Sequence, residues 1–132
     1  MIDKALVIAF FAATHPAALK TIDKTLPDVI SRVADTEEEM ALLAYYAWRE
    51  SNGLANPGPT SWDAKAGISC GVFQLPCSTV ASFTIEQQAR LWISIERKPG
   101  GLVSLDSDRK RAEKRKRIAL ANLEKAKATI SH

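Results

Sequence analysis

The chain opens on an apolar run from Ala5 to Ala13, flanked by Asp3-Lys4 and by Thr14-His15-Pro16. The run predicts a first helix over about residues 3–13. It should end near His15-Pro16, because proline disfavours the α region for the residue before it. A second short helix is expected from Leu26 or Pro27 to Ala34, with Pro27 in a first turn, where its missing N–H is no loss. Thr36-Glu37-Glu38-Glu39 marks a third start. Thr36 can cap, Glu39 stands where a capping box wants it, and three acids suit the positive end of the helix dipole. Met40, Leu43, Ala44 and Ala47 then form an apolar stripe at helical spacing, and Gly53 is a candidate left-handed cap after Ser51-Asn52.

Turn formers crowd Asn56-Pro57-Gly58-Pro59-Thr60-Ser61, so residues 53–69 read as a long loop. Gly71-Val72-Phe73-Gln74-Leu75 is short and apolar, either a strand or the wall of a loop. Thr84 can cap a further helix, with Glu86 and Gln87 near its start and Leu91, Trp92 and Ile95 on its apolar side; Pro99-Gly100-Gly101 ends it. A last helix starts at Ser107 or Asp108, with Ala112, Ala119, Leu123, Ala126 and Ile130 as its inward stripe. The pattern predicts a mainly α fold: N-terminal helices over 1–35, a core over 36–98 and a C-terminal helix over 107–132.

Composition agrees with one folded domain. The chain has 132 residues, of which 46% are apolar and 25% charged, enough to build a core and unlike a disordered segment. Nothing approaches the roughly 20-residue apolar run of a membrane span. The first apolar segment resembles the core of a signal peptide, but Asp3 cancels Lys4 where a secretory signal carries net positive charge, so a first core helix is the preferred reading. Cys70 and Cys77 are too few for a zinc site, and no metal or cofactor is expected. A disulfide closing a small loop and two partly buried thiols both fit them.

Charge is unevenly spread. Residues 1–108 hold nine Lys/Arg and thirteen Asp/Glu, a net −4, whereas residues 109–132 hold nine and two, a net +7. The basic run 109–117 reads either as a solvated helix face or as an attraction to an anionic cell-wall or membrane surface. The second is favoured as a modest aid. No specific nucleic acid is expected, since the segment lacks interleaved aromatics for base stacking.

Glu50 is the residue a purely structural account explains least. At 100° per residue it lies beside Leu43 and Ala47, at the edge of the buried stripe. It also stands in the last helical turn, where the dipole disfavours negative charge. Both influences favour a protonated carboxyl, as a general acid requires. The plain alternative is a solvated glutamate, or one paired with Arg49 or a tail lysine.

The surroundings of Glu50 carry a resemblance. Trp48-Arg49-Glu50-Ser51, Asn56-Pro57, Ser61 and Gly71-Val72-Phe73-Gln74, in that order, resemble the lytic transglycosylase and goose-type lysozyme superfamily across about residues 36–98. Members carry Glu-Ser at the end of a core helix, then a polar loop, then a Gly-apolar-apolar-Gln segment. This chain departs from the pattern in three respects. The loop before Gly71 is longer, Phe73 replaces the usual Met, and Lys98-Pro99-Gly100-Gly101 stands where many members have Tyr-Asn-Ala-Gly.

The resemblance implies a lysozyme-like helical domain whose short β or loop segment lines a cleft for peptidoglycan glycan strands, acting at the cell wall. A phage-encoded protein would reach the wall without a signal peptide. Glu50 would protonate the oxygen between N-acetylmuramic acid and N-acetylglucosamine. Gln74 and the Gly71 backbone would line the cleft, with Ser61 and Trp62 from the loop, and Ser51 would be a structural hydrogen-bonder. Tyr46 reads as core. Asp63 is the only acid between Glu50 and Glu86. It is either a turn aspartate or the second carboxylate that inverting hydrolysis needs about 6.5–9.5 Å from the acid. Without it, Glu50 would act as acid and then as base on the sugar's own 6-hydroxyl, giving a 1,6-anhydro product. A non-catalytic wall-binding or structural domain of the same fold is the main alternative, and a nucleic-acid-binding protein the weaker one.

Overall fold

The computed structural model describes residues 1–54, 61–63 and 67–131, with backbone alone at 61–63 and 67–68. It is mainly helical, with one small sheet. In chain order the described elements are α1 (Lys4–Thr14), α2 (Ala18–Thr21), α3 (Leu26–Val33), α4 (Glu37–Ser51), β1 (Ser61–Asp63), β2 (Gly67–Cys70), β3 (Leu75–Pro76), α5 (Cys77–Val80), α6 (Ile85–Glu96), α7 (Gly101–Asp106) and α8 (Arg109–Ile130).

The helix α4 is the centre of the fold. Every residue from Met40 to Ala47 is buried, because α1, α3, α6 and α8 pack around it. The single stripe expected from the sequence is therefore a correction: a helix with neighbours on all sides needs apolar residues on all sides. Its ends are polar and well closed. The Thr36 side chain accepts from the Glu39 amide at 3.1 Å, and Glu39 reaches back to the amide of Asp35 at 2.9 Å, one residue earlier than a capping box would place it. At the other end Asn52 takes the left-handed conformation (φ 55°) one residue before the expected Gly53, which is also left-handed (φ 70°). A side chain on Gly53 would strike Ile22, its added Cβ lying 2.4 Å from a methyl group.

Around this core, α8 lays Ala112, Ala119, Leu123 and Ala126 inward against α1 and α4, the small residues allowing close approach. Ile130, expected on the same stripe, is exposed where the helix runs past its neighbours. The Asp108 side chain caps α8 at the Arg111 amide, as expected. Thr84 and Gln87 complete a capping box on α6, whose Trp92 is fully buried. Leu91 and Ile95, read as part of the apolar side of α6, are only half-buried, and Gln88, Ala89 and Ile93 face inward with Trp92 instead.

The stretch 53–69 is not all loop. β1 and β2 pair antiparallel, Ser61 opposite Ser69 and Asp63 opposite Gly67, and β2 pairs with β3. Three short helices also escape the periodicity argument, since α2, α5 and α7 have four to six residues each, too few for a face to repeat. Cys70 and Cys77 are joined by a disulfide that ties β2 to α5. No described helix is long and apolar enough to cross a membrane.

Candidate active site

Glu50 emerges at the last turn of α4 with its carboxyl partly exposed. The next residue fixes that helix end. The Ser51 hydroxyl is buried and lies 2.7 Å from the Val72 carbonyl, to which it donates, and 3.1 Å from that of Ala47. The Glu-Ser pair is thus tied to the Gly71–Gln74 turn.

The turn is shaped by its first residue. Gly71 has φ +84°, and a Cβ there would lie 2.2 Å from the Gln88 side-chain oxygen. That oxygen accepts from the Val72 amide at 2.9 Å, so Gln88, itself buried, holds the turn from below. Gly71 is buried, and Gln74, three residues on, is half-buried. Gln74 donates to the Gly71 carbonyl at 2.8 Å and, with Ser69, Leu75, Pro76, Ile95, Ser104, Leu105 and Ser107, lines an open groove of 340 Å³. Ser61 and Asp63 sit on β1 with Trp62 between them, so the segment is strand rather than turn. Their side chains lie outside the described residues, as does the Asn56-Pro57 loop.

The charged partner of Glu50 comes from the basic helix. Arg115 Nη1 donates to Glu50 Oε1 at 2.8 Å and also contacts Asp106 Oδ2 at 3.3 Å. The alternatives for Glu50 named Arg49 or a tail lysine; its partner is instead a tail arginine, 65 residues away. Glu50 Oε2 meets no described partner and is not buried.

Behind Arg115 lies a group that the sequence reading missed altogether. The Asp106 side chain is fully buried at the end of α7. Arg111 Nε donates to its Oδ1 at 2.5 Å and the Tyr46 hydroxyl to its Oδ2 at 2.5 Å. Arg111 also holds the Asp106 carbonyl at 2.6 Å, and Arg115 lies over the Tyr46 ring, 5.3 Å from its centroid. Burial pushes the Tyr46 hydroxyl up, and its bond to Asp106 pushes it the same way, so it stays a donor. Tyr46 is core, as read, but with a polar task. One signal was available: 111 and 115 share a helix face. Nothing local pointed to Asp106.

These contacts revise the picture of the 109–117 run. Arg111 pairs with Asp106, Arg115 with Glu50 and Asp106, and Lys116 with Glu38 at 3.2 Å, so only part of the cluster is a free surface charge. No group of His, Cys, Asp and Glu among the described residues could hold a metal ion. No protein-family model, curated protein or solved structure matches this chain.

Proposed function

We propose that the chain cleaves the β-1,4 bond between N-acetylmuramic acid and N-acetylglucosamine in peptidoglycan, with Glu50 as the general acid. The observation that carries this reading is the tie between Ser51 and Val72. It fixes a partly exposed glutamate at the end of a buried helix against the same turn that sends Gln74 into a groove. A rigid helix end is a sound mount for a group that must meet a sugar oxygen at hydrogen-bond distance.

Arg115 takes Glu50 Oε1 and thereby sets the orientation of the carboxyl. Oε2 is then the oxygen available to a glycan, for delivering the proton and taking one back. The reading takes attack by the sugar's own 6-hydroxyl, which needs no second carboxylate, over inverting hydrolysis, which does. Asp63 is the residue on which the hydrolytic alternative depends.

The test is a cell-wall digest by wild type and Glu50→Gln, read by zymogram and by mass spectrometry of the products. Loss of a general acid lowers the rate by about 10²–10⁴. The expected products carry 1,6-anhydro ends. Activity of Glu50→Gln within about twofold of wild type would overturn the assignment. A second reading, a wall-binding domain without catalysis, draws on the Arg115 ion pair, which a structural glutamate would also make. It predicts wall binding with no lysis by either protein.

A further inference from the structure

Outside the groove, α4 and α8 enclose a second cavity of 310 Å³, lined by Tyr45, Arg49, Arg111, Lys114, Arg115 and Ile118. The spacing explains how it forms. Residues 45 and 49 are one turn apart on α4, and 111, 114, 115 and 118 fall on one face of α8. Four of the six side chains are cationic, and no described acid lines the cavity.

The charges do not cancel. Arg111 and Arg115 are matched by Asp106 and Glu50, which lie on their inner side. Arg49 and Lys114 form no ion pair or hydrogen bond among the described residues, so about two positive charges face the cavity without an acid. Donors are spare as well. Among the described residues Arg115 uses only Nη1 and Arg111 only Nε and Nη2; the remaining guanidinium nitrogens meet no described acceptor, and those of Arg115 are not buried. Two guanidinium groups anchored from behind, each with an unused N–H edge, present preorganised donors to an oxyanion.

We propose that this cavity binds an oxyanion, a carboxylate or phosphate carried by a cell-wall polymer. The wall source rests on the functional reading above; the oxyanion chemistry does not. A single pocket with one mostly buried tyrosine has the form of a site for one anionic group rather than for a strand of stacked bases. Because Arg115 joins the cavity to Glu50, an anion there competes with the glutamate for one guanidinium.

The experiment is a titration of the intact chain with inorganic phosphate and, separately, with glutarate. It is followed by NMR at the backbone amides and at the arginine Nε–H signals. Binding should be roughly millimolar, as for one small anion in an open site. Shifts should centre on Arg49, Arg111, Lys114 and Arg115. A folded Arg49→Gln/Lys114→Gln double variant should bind about tenfold more weakly, each lost cation acting at close range in a partly solvated site. Glu50→Gln, which removes the competing charge, should bind about three- to tenfold more tightly. Preference for phosphate indicates a phosphate-bearing polymer, and preference for glutarate indicates peptide carboxylates.

Shifts spread evenly along α8 as far as Lys125, or affinity unmoved by both variants, would overturn the site. Displacement of phosphate by duplex DNA, with a steep salt dependence, would overturn the wall source. Lysis plays no part in these readouts. A chain that binds phosphate but cuts no wall refutes only the proposed function, and a chain that cuts wall but binds no anion refutes only this site.

Discussion

Asp106→Asn should be among the most destabilising single-atom exchanges in this protein. The carboxylate is fully buried and accepts from Tyr46, Arg111 and Arg115, so both oxygens are engaged. An asparagine of the same shape removes the charge and turns an NH₂ group toward donors. Removing one partner of a buried pair costs about 3–5 kcal/mol. The lower end applies here, because Arg111 is half-exposed and can return to water, and Arg115 keeps Glu50. About 3 kcal/mol is a large part of the 5–15 kcal/mol typical of a domain. Spread over this chain length it lowers Tm by roughly 10 °C. Urea denaturation followed by tryptophan fluorescence measures it, since Trp92 is buried with its ring 5.4 Å from that of Tyr46. Tyr46→Phe gives the second edge of a double-mutant cycle, and the two changes should be less than additive because they break one network. A loss below about 1 kcal/mol for Asp106→Asn, or strict additivity with Tyr46→Phe, would refute the view that this network holds α7 and α8 to α4.

Two further outcomes follow from the same geometry. Arg97 lowers the Glu39 carboxyl from its ordinary value through hydrogen bonds at 2.7 and 2.9 Å, so this pair contributes stability above the ordinary glutamate pKa of 4.5 that is lost as pH falls through the depressed folded value. Arg97→Ala should therefore cost about 1 kcal/mol at pH 7 and give a flatter stability profile below pH 4.5 than wild type, whereas an equal loss at all pH values would show that packing rather than charge is involved. Glu96, pushed up by burial and by Glu39 and partly held back by Arg97, works in the opposite sense and rises further in the variant. Gly71→Ala should cost about 3 kcal/mol, from a strained positive φ and a displaced Gln88 that leaves the Val72 amide unpaired; a melting temperature within about 2 °C of wild type would show that the turn can relax.

The parts of this fold legible in the sequence are those with a local cause. Thr36, Thr84 and Asp108 each cap the helix they precede, because a side-chain oxygen within three residues of an open amide needs no tertiary information. The long helices follow from their periodic or continuous apolar runs. What escaped has causes far along the chain. The apolar character of α4 on every side is an answer to four neighbouring helices, so a one-stripe reading undercounted its burial. The strands β1 and β2 sit in a segment whose Pro, Gly and Ser content reads as loop. The candidate site divides in the same way. Glu50 draws notice from its place at a helix end beside an apolar stripe, whereas Ser51 and Gln74 are singled out through the resemblance to the lytic transglycosylase superfamily. Arg115 and Asp106 could not be singled out, because their meaning lies in contacts 65 and 60 residues away with α4. The basic helix illustrates the consequence. Counted as charge it is a uniform +7 segment suited to any polyanion. Folded, its 111–115 face is divided between the buried Asp106, the partly exposed Glu50 and an open cavity. The field at Glu50 is therefore set by which face of α8 the core selects, and the core selects it through Ala112, Ala119 and Ala126, residues that carry no charge at all.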